Sequence, residues 1–395
     1  MSNLKEKYLF NPQCNGRTNR GLTVENQPKL NWKFQVPSHP VYGFESMPVK
    51  DEDGNIYVGN HNGSLYKLNP EGRLLNTFQT KYKIFSTPIT IGNRCYFASG
   101  DGYVYSLDEK GNLAWKTQVS NEPLLKKPSY LQSVIRQYIK RDKSKFSIGT
   151  VRTWASMNFD SKGRLYINTA GTGVNVLDIN GNIIKQLSTK YKFPLSGVSF
   201  LENDDFVFCD EKEVVYAYDN NFKQKWTYNI DKTYNLWSNP VVCLEKKLIF
   251  LAGSKSDESI IVCLNFEGRK VWEIKIDSEI RGTSTLNHKG QLIVPCFDGN
   301  LLFLDQENGQ LQEKVNLTSC DRALWTSPIV DKNNNIYVTV KTSRTEGKLN
   351  IINNDFKIIH TIDCGKTLSP PTIDEHNNLF FGDWNGYLYS YNFFD

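Results

Sequence analysis

Residues 46–80 read SMPVKDEDGNIYVGNHNGSLYKLNPEGRLLNTFQT, and the punctuation of this stretch decides the fold. Small residues and Pro48 open a short strand, and Asp51-Glu52-Asp53-Gly54 turns it. Ile56-Tyr57-Val58-Gly59 is a second strand, and His61-Asn62-Gly63 turns again. Ser64 to Leu68 alternates as a third strand, Asn69-Pro70-Glu71-Gly72 turns, and Leu74 to Thr80 is a fourth. Short runs rich in Val, Ile, Tyr and Phe between Gly, Asn and Asp are strands joined by hairpins. About forty residues thus make one four-stranded antiparallel meander, the unit of a propeller blade. Such a unit cannot bury both of its faces alone, so it needs neighbours.

Those neighbours are in the sequence. Aligned on the second strand, the equivalent opening positions are Pro48, Pro88, Met157, Val198, Pro240, Ser284, Pro328 and Pro371. Six of the seven intervals between them are 40 to 44 residues, and one, 88 to 157, is longer by about thirty. Fourth strands count to the same total, at 74–80, 114–119, 183–189, 224–230, 270–276, 311–317 and 357–363, with 30–36 as the eighth. The last unit has three strands before the chain ends, and LNWKFQV at 30–36 is a fourth strand without a first three. Pairing them closes the ring and removes its exposed edges.

The expected fold is therefore all-β: an eight-bladed β-propeller over 30–395, closed by the N-terminal strand and preceded by an N-terminal extension, 1–29. Residues 121–150 are read as a helical insertion, with Tyr130, Leu131, Val134, Ile135, Tyr138 and Ile139 at helical spacing. Because it joins a fourth strand to a first strand, it belongs on the upper face, as rim packing, lid or partner contact.

Composition narrows the class. Hydrophobic residues at 39% and aromatics at 13% suffice for a packed core, and no stretch approaches the length of a membrane-spanning helix. A net charge of +5, from 47 basic and 42 acidic residues, gives no support for nucleic-acid binding. Eight cysteines are scattered singly, several inside apolar strands, and no apolar run follows the charges of the N-terminus. A cytosolic monomer is expected. The five histidines show no metal-ligand spacing, and P-loop, GxGxxG, GxSxG and HExxH patterns are absent. Neither metal nor cofactor is expected.

The openings SNPVV and TSPIV, the second strands DGNIYVG and NNNIYVT, the run DGYVYSLDEKGNLAW and the leader FNPQCNGRT resemble the pyrroloquinoline-quinone-like propeller superfamily. The resemblance spans nearly the whole chain. It implies the fold firmly, and it implies quinoprotein dehydrogenase or assembly scaffold as functions. The dehydrogenase pattern is incomplete: there is no Cys-Cys pair, and the fourth-strand tryptophans remain only as Trp32, Trp115, Trp226 and Trp272.

The register also predicts a site. Residues just ahead of each opening should ring one mouth of the central channel: Glu45, Phe85, Trp154, Leu195, Trp237, Arg281, Trp325 and Leu368. One step outward come Lys83, Arg152, Asn235, Glu279, Arg322 and Lys366. The mouth is aromatic and basic, so either large side chains simply plug a wide axis, or they bind. As a binding site, Glu45, Phe85, Arg152, Trp154, Trp237, Arg281, Arg322 and Trp325 would stack and pair with an anionic or aromatic small molecule, or with a protein partner. Glu45 and Glu279 are the candidate structural partners of the arginines. Asp101, Asp210, Asp298 and Asp383 in the second-to-third hairpins read first as turn residues, with a general base as the other possibility. The function expected is a non-redox binding or scaffold protein. The alternatives are a non-redox enzyme of specialised metabolism using the same funnel, and a quinone-dependent dehydrogenase.

Overall fold

A computed structural model describes residues 5–7, 9–37, 42–120, 153–190, 196–212 and 214–394. Among them the strands form eight antiparallel sheets, seven of four strands and one of five. Blade 1 is Val49–Lys50, Ile56–Gly59, Ser64–Leu68 and Leu74–Gln79. Blades 2 to 7 follow at 89–118, 158–187, 199–229, 241–276, 285–316 and 329–365. Blade 8 takes three strands from 372–392 and its outer strand, Lys29–Gln35, from the other end of the chain. That strand pairs antiparallel with Tyr387–Asn392, from Lys29 opposite Asn392 to Gln35 opposite Tyr387. The eightfold ring and its closure are as the sequence predicts. The helix expected at 121–150 lies outside the described residues.

Burial explains why each strand reads as it does. Second and third strands are buried throughout in blades 1 and 3 and over most of their length in the others, because a neighbouring blade covers each face. Outer strands alternate with the period of two that one wetted face imposes, as in Leu74–Gln79 and Gln224–Asn229. The apolar core is accordingly divided into eight clusters, one at each seam between blades.

Two devices lock the seams. At the circumference, the indole N–H of Trp32, Trp115, Trp226 and Trp272 donates to the carbonyl of Pro70, Ile179, Phe266 and Gln306 in the next blade, at 2.8–3.1 Å. Each ring lies on a turn glycine. A Cβ on Gly268, whose φ is +77°, would stand 2.5 Å from the Trp226 ring, so only glycine fits. Near the axis, the small opening residues bond across seams. Met47 N–H donates to Thr87 Oγ1, Thr87 N–H to Ser156 Oγ, Gly197 N–H to Asn239 Oδ1, and Thr283 N–H to Ser327 Oγ.

The seam between blades 8 and 1 also holds an ion pair, Lys50 Nζ to Asp374 Oδ2 at 2.7 Å, with both side chains buried. Burial raises the Asp374 carboxyl, but Lys50 and the Asn378 amide outweigh it and hold the group below the ordinary carboxylate range. A depressed acid contributes stability that is complete above its unfolded pKa of about 3.9 and is lost as pH falls below it. Unfolding by urea should therefore show stability falling as pH drops below about 4. Asp374→Asn is expected to flatten that fall; an unchanged slope would contradict the assignment.

The leader is no outlying extension of the barrel. Lys5–Glu6 adds a fifth strand to the inner edge of blade 2, opposite Thr90 and Ile91. The chain then circles the axis. Lys7 Nζ donates to Asn158 Oδ1 in blade 3, Pro12 O accepts from Phe200 N–H in blade 4, and Gln13 O from Val242 N–H in blade 5. Asn15 O accepts from Leu286 N–H in blade 6, Gly16 O from Val330 N–H in blade 7, and Arg20 Nη1 donates to Ile373 O in blade 8. Inner strands would otherwise leave these edge N–H groups buried and unpaired, so the leader completes them. Leu9, Cys14, Leu22 and Val24 are buried in the seam between blades 7 and 8.

Candidate functional site

The residue four positions ahead of each first strand faces the end of the channel remote from the leader. The ring's register thus brings together Glu45, Phe85, Trp154, Trp237, Arg281, Trp325 and Leu368, all lining one cavity of about 580 Å3. Arg322 lines it too, whereas Arg152 and Leu195 lie outside the described residues. Lys341, Lys366 and Trp384 complete the charged and aromatic lining.

The cavity is two-sided. On the side of blades 2 and 3, Phe85 and Trp154 stack in parallel, with centroids 4.2 Å apart and planes at 11°. His61 lies against Phe85 and Trp384, and its Nε2 is 3.3 Å from Glu45 Oε2. Lys83 of the outer set sits over Phe85 at 5.8 Å. On the side of blades 5 to 8, the Arg281 guanidinium lies 3.7 Å over the Trp237 ring and 5.4 Å from that of Trp325. It is also ion-paired to Glu279, which is buried. Burial pushes the Arg281 group below its ordinary range, Glu279 opposes that, and the charge of Arg322 adds to it. Arg281 is therefore a wall brace whose charge is already matched, as the sequence reading allowed for Glu279. Asn235 bridges to Ser254 instead of reaching the cavity.

The other cations are further round, and among them Arg322 Nε lies 4.0 Å from Asp321 Oδ2. Lys366 Nζ sits 3.7 Å over the Trp384 ring. Burial and the neighbouring Lys341 push its amine below the ordinary lysine range, against the pull of Glu45. Lys341 Nζ donates to Asp321 O at 2.7 Å. Arg322, exposed, has φ +53°, a left-handed conformation that costs a non-glycine residue energy and concentrates at functional sites. Three buried polar atoms of the lining have no hydrogen-bond partner among the described residues: Trp237 Nε1, Trp384 Nε1 and Thr326 Oγ1. Orphaned donors in a cavity call for an acceptor.

The hairpin aspartates are turn residues. Asp101 accepts from Tyr105 Oη at 2.8 Å, Asp383 from Tyr389 Oη at 2.9 Å, and Asp298 from Asn300. None of Asp101, Asp210, Asp298 and Asp383 lines the funnel. All eight cysteines are free thiols. Burial pushes those of Cys95, Cys209, Cys263 and Cys296 up, away from thiolate chemistry. Among the described residues no cluster of His, Cys, Asp or Glu suits a metal ion, and no helix is long and apolar enough to cross a membrane.

Sequence reasoning passed over Lys341 and Thr326. Lys341 reaches the mouth because the second strand of blade 7 is long, Ile336–Lys341 against Ile56–Gly59 in blade 1. That length was the available signal.

Residues 25–194 match the family model described as outer membrane protein assembly factor BamB. The chain is similar in structure to BamB from Moraxella catarrhalis, with 13% identity and a TM-score of 0.65 over 93% of this chain and 100% of that one. It is also similar to the computationally designed Ika8 protein, with 11% identity and a TM-score of 0.65 over 91% and 98%. No curated protein sequence matches. At these identities the structural likeness is one of fold.

Proposed function

We propose, for a chain that is a β-propeller of pyrroloquinoline-quinone-like repeats, that the aromatic and basic funnel is its working site and that the protein is a non-redox binding or scaffold protein. The observation that carries this reading is the cavity of about 580 Å3 itself, open, walled by a stacked Phe85–Trp154 pair on one side and by Lys341 and Lys366 on the other. A plug would fill the axis; this lining leaves room for a small molecule. Its chemistry suits a ligand with an aromatic plane and an anionic group.

The same face would also receive an acidic or aromatic side chain of a protein partner, a reading supported by the match to a family described as an assembly factor. Unpaired thiols support a cytosolic protein, and the closed ring supports a monomer. A second class, a non-redox enzyme, is favoured by one contact: His61 beside Glu45 at the mouth is an imidazole–carboxylate pair of the kind that serves as a base.

Quenching of tryptophan fluorescence by 2-naphthoate tests the binding reading. Wild-type protein should bind, and Trp154→Ala should weaken affinity by about tenfold, equivalent to about 1.4 kcal/mol of lost stacking and burial. The melting temperature should scarcely move. Equal affinities, or no binding by the wild type, would overturn it.

A further inference from the structure

Taking the funnel as the binding site, we propose that its anionic ligand is a small aromatic phosphomonoester, with the phosphoryl group held between Lys341 and Lys366 at the blade 7–blade 8 wall. Arg281 is unavailable for this, because Glu279 neutralises it and Trp237 covers its face. Arg322 lies 4.0 Å from the Asp321 carboxylate, so the lining then retains Lys341 and Lys366 against the carboxylate of Glu45, an excess of one positive charge. Both lysines belong to blade 7, Lys341 at the end of its second strand and Lys366 just past its outer strand, opposite the Phe85–Trp154 stack.

That clustering discriminates between dianions. Two carboxylates on a ring hold their charges apart, whereas a phosphoryl group places two charges and three acceptor oxygens at one point. The donors at the wall match the latter. Lys366 spends one face of its ammonium on Trp384, and Lys341 one N–H on Asp321 O, which leaves donors on both. Thr326, 2% exposed, adds a hydroxyl without a partner, and Trp384 a buried indole N–H without one. Burial and the charge of Lys341 weaken the protonation of Lys366, and a dianion between the two amines removes that repulsion.

A matched series tests it: 2-naphthyl phosphate, 2-naphthoate and naphthalene-2,3-dicarboxylate, titrated calorimetrically against wild type, Lys341→Met and Lys366→Met. The phosphate should bind at least roughly tenfold tighter than either carboxylate, and each Lys→Met change should remove roughly that advantage while leaving 2-naphthoate affected less. Lowering pH from 7.5 to 5.5 carries a phosphomonoester through its second pKa of about 6, so its affinity should fall severalfold while that of naphthoate holds. Both Lys→Met proteins should melt with the wild type. Free O-phosphotyrosine against the same residue in a short peptide distinguishes a soluble ligand from a protein-borne group, and binding of either supports the inference. Equal affinity for phosphate and dicarboxylate, or Lys→Met variants that bind like wild type, overturns it while the binding reading stands. Failure of every aromatic anion to bind overturns both.

Discussion

A chain lacking residues 1–24 is expected to lose its cooperative unfolding transition at physiological temperature, even though all four meander strands of every blade are still present. The leader supplies acceptors to Phe200, Val242, Leu286 and Val330, N–H groups on the inner edges of four different blades. Without it those edges open to the channel. It also buries Leu9 at 0% and Leu22 at 2% exposure. Removing a buried leucine side chain costs about 2–5 kcal/mol, and two such losses rival the 5–15 kcal/mol that holds a typical domain together. Gly16→Val probes the same contact with one residue: φ is +70°, and a Cβ would stand 2.5 Å from Thr285 Oγ1. Circular dichroism melts of both variants are the measurement. A peptide of residues 1–28 added to the truncated chain should restore the transition. Wild-type melting by the truncated chain would show that the leader only decorates a ring that stands without it.

Arg281→Ala is expected to destabilise the protein by about 3 kcal/mol, the penalty for stranding a buried carboxylate, here Glu279. The double change Arg281→Ala, Glu279→Ala should recover most of that loss, so a double-mutant cycle by urea unfolding should return a large coupling. Lys366→Met, further round the same side of the cavity, should leave stability nearly unchanged. Additive losses in the cycle would mean that Arg281 does not depend on Glu279, and would return the arginine to the set of free anion binders. The distinction matters in practice, since loss of binding in Arg281→Ala alone reports collapse of the Trp237 wall as readily as loss of a ligand contact.

The ring was legible because its signals are local and repeated. Turn glycines and asparagines, and alternation such as that of Leu74–Gln79, fix strand register residue by residue, and the orphan strand at 30–36 could pair only with a three-stranded last unit. Register then placed Glu45, Phe85, Trp154, Trp237, Arg281 and Trp325 around one cavity from sequence alone. The leader was illegible for the converse reason. It contributes one main-chain bond each to blades 4, 5 and 6 and, among the described residues, only side-chain bonds to blades 3 and 8, through a run containing Pro12, Gly16 and the left-handed Leu9, Phe10 and Cys14, and so it has neither alternation nor helical spacing. The partition of charge inside the funnel was equally hidden. Arg281 and Lys366 both read from the sequence as basic residues of the mouth, and only the side-chain contacts show that Glu279 has already claimed the first.

The claim on which the account rests is that residues from separate blades form one receptive funnel. A crystal structure of the protein grown with 2-naphthyl phosphate tests it most directly. The account predicts the ring system against Phe85 and Trp154, with the phosphoryl oxygens within hydrogen-bonding distance of Lys341 and Lys366. Density for the ligand confined to the polar cavity at the leader end, beside Arg17 and Glu245, with the funnel empty, would contradict it.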